Sequence, residues 1–197
     1  NRAQTMDHML DVLSALDVAV KAGKIRAFGM SNESTWGMTQ WTRLAEEHGL
    51  PRMASVQNEY SLLCRLYDTD MAEMAVNEDV TLLSFSPLAC GLLTGKYQND
   101  VIPAGSRRSI GPDLGGRMTP RTLPTVQVYL DIAAKHGIAP NHMAMAWQRT
   151  RPFPISAIFG TTTATQLEHL LEGRNMELSS EILKEISAAH RAHPMPY

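Results

Sequence analysis

Four short strand-like segments, each leading into polar or turn-forming residues, constrain this chain more than any other feature. They are Ile25 to Met30, Met53 to Gln57, Val80 to Phe85 and Ile155 to Phe159. The third is apolar apart from Thr81 and Ser84 and is closed by Pro87 and Gly91, which fits a parallel strand better than a helix. Helical repeats separate them. Met6, Met9, Leu10, Leu13, Leu16 and Val20 form the first, stopped by Gly23. Thr35 to Glu47 forms the second, with Trp41, Leu44 and Ala45 inward and Gly49 at its end. Asp68 to Glu78 carries Met71, Met74 and Ala75, and Pro124 to His136 and Pro140 to Thr150 each place a proline near the start. A helix begins near Thr163, and Ser179 caps a last one bearing Ile182, Leu183 and Ile186. Alternating strands and helices predict a parallel sheet with right-handed crossovers. Four such units fit an open sheet or half of a closed eight-stranded barrel, and no shift in composition divides residues 1–197 into more than a single domain.

Composition narrows the function. The chain has 197 residues and a formal net charge of −2, with no basic block, which argues against a nucleic-acid partner. No apolar run reaches the roughly 18–20 residues that cross a bilayer, and no charged-then-apolar leader opens the sequence. The two cysteines, Cys64 and Cys90, lack any paired spacing and read as reduced thiols of a cytoplasmic protein. The Asn32-Glu33-Ser34 sequon reads as coincidence. The chain starts at Asn1 and enters a helical pattern almost at once, as a domain entered in its middle would.

In parallel α/β sheets the chemistry gathers at the carboxyl ends of the strands. Those ends are Ser31-Asn32, Gln57-Asn58, Phe85-Ser86-Pro87 and Gly160-Thr161-Thr162, all polar or turn-forming. After Phe85 comes a small-residue turn, Ala89-Cys90-Gly91, and then Thr94-Gly95-Lys96-Tyr97. Exposed backbone amides beside one lysine suit an anion such as a phosphate. The run from Gly91 to Lys96 is one residue too short between its glycines for a nucleotide-triphosphate loop, and Tyr97 stands where a magnesium-binding hydroxyl is required. There is no G-x-G-x-x-G, and Glu33 occupies the second-glycine position of a nucleophile elbow. His190 and His193 have no third ligand near them in sequence, so no metal is expected. A long Gly-, Pro- and Arg-rich segment from about Gln98 to Pro124 holds Arg107, Arg108, Arg117 and Arg121. Loops of that length tend to be functional or disordered.

Several of these residues admit two roles. Ser31 and Asn32 can cap the following helix or, with Gln57, pair with a ligand carboxamide. Gln57 can equally satisfy a buried backbone group. Phe85 can be core or can stack on a flat heterocycle. Thr163-Ala164-Thr165-Gln166 is a capping box that accounts for Gln166 on its own, while the amides at that helix start attract phosphate.

Taken together, Gly29-Met30-Ser31-Asn32, Gln57-Asn58-Glu59-Tyr60-Ser61-Leu62, Phe85 through Gly91, Leu93 through Tyr97, and Gly160 through Thr163 with Gln166-Leu167 resemble the later half of an aldo-keto reductase. The resemblance is nearest to Tas-like proteins and potassium-channel β-subunits. It implies the C-terminal half of a (β/α)8 barrel, strands five to eight with their helices, lacking strands one to four. The implied cofactor is NADP(H). Ser31, Asn32 and Gln57 would hold the nicotinamide carboxamide, and Phe85 would stack on the ring. Ser86, Leu88, Cys90 and Lys96 would line the pyrophosphate, with Pro87 and Ala89 inside the same stretch. Arg107 would close over it. Gly160, Thr162 and Gln166 would meet the 2′-phosphate and adenosine end. His169 and Leu170 stand where the family has an acidic residue and an asparagine for adenine. The family's catalytic Asp, Tyr, Lys and His belong to the first four strands, and neither Tyr60 nor Lys96 matches their motifs.

The implied reaction is NADPH-dependent reduction of an aldehyde or ketone. The chain alone is then expected to hold the cofactor and to lack turnover. Two other readings stand beside it. One is a non-catalytic nucleotide-binding or interaction module, with open strand edges for a second copy or for a complementary half-barrel. The other is an inactive remnant.

Overall fold

Parallel pairing fixes where the polar strand ends lie. In the computed structural model, which describes residues 1–197, helix α1 (Arg2–Lys21) leads to strand β1 (Gly29–Ser31), helix α2 (Thr35–Glu47) and strand β2 (Ser55–Glu59). Helix α3 (Met71–Asn77) and strand β3 (Thr81–Phe85) follow, then one turn of helix, α4 (Arg107–Ile110), and helices α5 (Thr122–Lys135) and α6 (Pro140–Arg149). Strand β4 (Ile155–Ile158), helix α7 (Ala164–Glu172) and helix α8 (Ser180–Ala192) complete the order. The strands form one sheet in the order β1-β2-β3-β4. β1 runs parallel to β2 with Gly29 beside Ser55 and Ser31 beside Gln57. This is the α/β architecture that the alternating pattern predicted.

The boundaries differ in instructive places. β1 covers only Gly29–Ser31, and Ile25–Phe28 lie before it. An edge strand is bonded on one side only, so few ladder bonds hold it. β2 runs over Ser55–Glu59, two residues past the Met53 to Gln57 segment. The ladder is still paired just beyond, where Tyr60 donates its N–H to the Phe85 carbonyl at 3.3 Å. α3 starts at Met71, after a separate turn at Leu66–Asp68. α5 begins two residues before Pro124, which therefore sits in the first turn where no N–H is needed.

The chain gathers into two compact units. The first holds Asn1–Asn58, Tyr67–Leu83 and Phe153–Ser156. Its core is Leu13, Met38, Ala45, Val56, Ala75, Val80 and Leu82, all without solvent exposure. α1 packs on α2 and α2 on α3. Gly29 is required here by contact: a Cβ would stand 2.3 Å from the Ser55 hydroxyl and 2.6 Å from its carbonyl oxygen.

The second unit holds Glu59–Leu66, Ser84–Pro152 and Ala157–Tyr197. α5 packs on both α6 and α8. Tyr60 stacks on Trp147 with ring centres 5.2 Å apart. Several buried polar groups of this core are paired. Ser84 donates to Gln148 Oε1 at 2.6 Å, and Gln148 Nε2 donates to the Tyr60 carbonyl at 3.1 Å. Tyr129 donates to the Leu62 carbonyl at 3.0 Å. Each such bond is worth about 1 kcal/mol made and more than that if one partner is orphaned.

Candidate functional site

In the first unit the carboxyl ends of β1 and β2 place Ser31 beside Gln57. Ser31 Oγ donates to the Gln57 carbonyl at 3.2 Å and accepts from Asn32 Nδ2 at the same distance. The Asn32 N–H also donates to that carbonyl, at 2.9 Å. Asn32 holds a left-handed backbone, φ 53°, which asparagine tolerates better than most residues. Neither Ser31 nor Asn32 caps α2. Ser34 does so, accepting from the Gly37 N–H at 3.0 Å. Glu33 braces that helix start by accepting from the Ser34 N–H and from Trp41 Nε1. The capping role weighed for Ser31 and Asn32 is thus taken by a neighbour. The Gln57 side chain makes no hydrogen bond, so its amide is not satisfying a buried backbone group either.

In the second unit the loop after β3 has an unusual backbone. Ser86, Ala89, Cys90 and Gly91 all have positive φ, at 53°, 48°, 57° and 93°. Three of the four carry a Cβ. A left-handed conformation costs such residues about 1–2 kcal/mol each. Strain of this kind collects at ligand clamps, and runs of turned amides form anion-binding nests. Ser86 Oγ and Cys90 Sγ lie 3.6 Å apart across the turn, while Pro87 and Ala89 are buried beneath it and Leu88 is half-buried. Phe85 is half-buried as well, so its ring is not lost to the core.

Lys96 lies against this loop. A Cβ on Gly91 would stand 2.9 Å from its Cε and 3.0 Å from its Nζ. The ammonium sits 5.1 Å from the centre of the Tyr97 ring, is exposed, and has no ion-pair partner. The Ala89 and Gly91 N–H groups are spent within the turn, on the Ser86 and Leu88 carbonyls, so the unpaired ammonium is the cation this loop offers to an anion.

Arg107 is also exposed and unpaired. It lines an open hollow of about 360 Å³ with Ile110, Gly111, Leu114, Gly115 and Arg117. Its neighbour Arg108 is buried instead, bonded to Asp100 and to the Pro112 carbonyl. Gly160, Thr162 and Gln166 are exposed at the start of α7. Thr163 caps that helix by accepting from the Gln166 N–H. The Gln166 side chain reaches one residue further back than a capping box predicts, accepting from the Thr162 N–H at 3.0 Å and its hydroxyl at 3.1 Å.

One cluster escaped the sequence reading. Arg117 grips Glu59 with two bonds, Nε to Oε1 at 2.9 Å and Nη2 to Oε2 at 2.7 Å. Tyr197 donates its hydroxyl to the same carboxylate at 3.2 Å. Those bonds push the Arg117 guanidinium above its usual range. Burial, and then the Glu59 charge, push the Tyr197 phenol well up. Burial first and Glu59 second also raise the nearby Cys64 thiol, to about 11. Partners 58 and 138 residues away from Glu59 leave no local signal. Tyr60, next in sequence to Glu59, is fully buried.

The aldo/keto reductase family model matches residues 2–191. The chain belongs to that family. Protein tas of Escherichia coli is 42% identical over 188 residues, which cover 95% of this chain and 54% of that protein. L-glyceraldehyde 3-phosphate reductase of Escherichia coli K12 is 30% identical over 188 residues, covering 90% of this chain and 53% of that protein. A Schizosaccharomyces pombe protein named as a candidate voltage-gated potassium channel subunit beta is 30% identical over 186 residues, covering 90% and 54%. The chain spans about half the length of these relatives. No helix is long and apolar enough to cross a membrane.

Proposed function

We propose that this chain is the NADP(H)-holding portion of an oxidoreductase that reduces an aldehyde or ketone. Its 197 residues would form one partial-barrel domain equivalent to strands five to eight of a (β/α)8 barrel, and they would not supply the family's catalytic tetrad. The observation that carries the reading is the left-handed run at Ser86, Ala89, Cys90 and Gly91 with the unpaired Lys96 ammonium lying on it.

In this proposal Ser31, Asn32 and Gln57 orient the carboxamide, and the unengaged Gln57 amide is the group best able to exchange a donor and an acceptor with it. Phe85 covers the ring face. Ser86, Pro87, Leu88, Ala89, Cys90 and Lys96 hold the pyrophosphate, and Arg107 adds a second cation. Gly160, Thr162 and Gln166 take the 2′-phosphate end, where the Gln166 side chain already steadies Thr162 and its N–H. When bound, the cofactor supplies hydride to a carbonyl carbon. The chain's own residues bind and orient it. Both cysteines are free thiols, which suits the cytoplasm we assign to the protein.

Titration of the chain with NADPH, followed by the cofactor's fluorescence, tests the reading. Saturable binding is expected, weakened about tenfold or more in Lys96→Ala, with no carbonyl turnover by the chain alone. Absence of binding, or equal binding by Lys96→Ala, rejects the cofactor role; turnover by the chain alone rejects the missing tetrad.

The sheet order favours a second reading, an interaction module of the kind suggested by the channel-subunit relative. β1 and β4 each have a neighbour on one side only, and such edges invite pairing with a second copy or a complementary half-barrel. A light-scattering mass of twice the chain supports self-pairing; a monomeric mass argues against it.

A further inference from the structure

The second unit contains a group of side chains that the cofactor reading does not use. His142 on α6 and His169 and Glu172 on α7 each present one ligand-type atom, and the three atoms lie within 4.8 Å of one another. The two imidazoles lie with centres 4.7 Å apart and planes tilted by 38°. His169 Nδ1 stands 3.1 Å from Glu172 Oε2. His169 and Glu172 are three residues apart and so share one face of the helix.

His142 is the fixed member. It is 7% exposed and presses on Gly173, where a Cβ would stand 2.5 Å from the ring. Its Nε2 contacts the His169 backbone carbonyl. A carbonyl can only accept, so Nε2 carries the proton and the lone pair is on Nδ1. An N–H···O=C contact of this kind is how metal-bound imidazoles are oriented and made more basic. The other two donors are adjustable, with side-chain exposures of 52% for His169 and 69% for Glu172. Donors about 2.0–2.1 Å from a tetrahedral ion stand about 3.3 Å apart. Exposed rotamers can close the remaining gap, and the open side leaves a coordination position for water.

A second group, His136 with Glu181 and Glu185, satisfies the same distance condition. It already holds a cation: Lys135 Nζ lies 2.6 Å from Glu185 and 3.5 Å from Glu181. No lysine or arginine ion pair reaches Glu172, so only the first group has its charge uncompensated by a resident ammonium.

We propose that His142, His169 and Glu172 form a binding site for a divalent transition-metal ion of borderline softness, of which Zn2+ is the representative. Two imidazoles and one carboxylate are a donor set that Zn2+ accepts and that Mg2+ and Ca2+ disfavour. An ion there would tie α6 to α7 and would stabilise the folded chain by binding it alone.

Calorimetric titration of the untagged, chelator-treated full chain with Zn2+ tests the proposal. One ion per chain is expected, with an affinity that falls as pH drops and the imidazoles take up protons. His169→Ala and Glu172→Gln alter exposed side chains, and each is expected to weaken binding at least about tenfold. Glu185→Gln, in the lysine-filled group, is expected to leave it unchanged. Mg2+ at the same concentration is expected to give no heat of binding and no rise in melting temperature. No Zn2+ binding by the parent chain, undiminished binding in the His169→Ala/Glu172→Gln double variant, or loss only in Glu185→Gln would each overturn the assignment.

Discussion

The loops after β1 and after β3 each lead out of a strand end, yet they are built on different principles. The first is a side-chain construction: Ser31, Asn32 and the Gln57 carbonyl bond one another, and a separate residue, Ser34, caps the helix. The second is a backbone construction, with three non-glycine residues held left-handed and a lysine laid across a glycine. The first is unstrained except at Asn32, whose type suits its conformation. The second stores strain, and the surrounding fold maintains it. The first loop offers polar side chains, the second a turned main chain with a free ammonium beside it.

Gly29→Ala should show how rigid the first construction is. Its Cβ would collide with backbone as well as side-chain atoms of Ser55, so a loss of about 3 kcal/mol is expected in denaturant unfolding. A loss below about 1 kcal/mol would mean that β1 shifts freely.

Alkaline unfolding compares the two units through their buried acids. Burial raises the Cys64 thiol of the second unit from 9.0 to about 11, with Glu59 adding to it. In the first unit burial raises the Tyr67 phenol from 10.0 to about 12. Both groups keep a proton in the folded chain that the unfolded chain gives up. Their contribution is intact below the unfolded values and is lost as pH rises through the window. Stability should therefore fall first between pH 9.0 and about 11, by up to about 1.4 kcal/mol per pH unit for one group. Cys64→Ala should remove that first phase. A curve unchanged by the substitution would assign the loss elsewhere.

Lys96→Ala should weaken NADPH binding about tenfold, or about 1.4 kcal/mol, while leaving the unfolding midpoint in place because the ammonium has no ion-pair partner. Movement of the midpoint instead would make Lys96 structural. The smallest effect is the most diagnostic. Cys90→Gly relieves a left-handed cysteine and should stabilise the chain by about 1 kcal/mol while loosening the nest and reducing NADPH affinity. Stability and affinity rising together would show that the strain serves nothing.

Much of the architecture was legible because periodicity and turn residues act locally. The helix Thr35–Glu47 and the caps at Ser179 and Thr163 stand where residue type put them. The edge strand was read too long, since its length depends on a neighbour that residue type does not reveal. At the candidate site, Ser31 beside Gln57 could be anticipated from polar residues at adjacent strand ends. The left-handed turn could not. Gly91 hinted at it, but nothing in the identities of Ser86, Ala89 or Cys90 announces positive φ. The Arg117–Glu59–Tyr197 group was missed because its members are far apart in the chain. A weak clue to the histidine cluster was present in His169 and Glu172 at helical spacing, but its buried third member lies 27 residues earlier.

Gln148 has a consequence for how sequences of this kind can drift. Its amide accepts from the Ser84 hydroxyl with one end and donates to the Tyr60 carbonyl with the other. A carboxylate in its place could not donate, and an apolar side chain would strand both partners. Position 148 therefore should not change alone. Where related chains have lost this glutamine, the residue at position 84 is expected to have lost its hydroxyl as well, and the two columns should covary although 64 positions separate them.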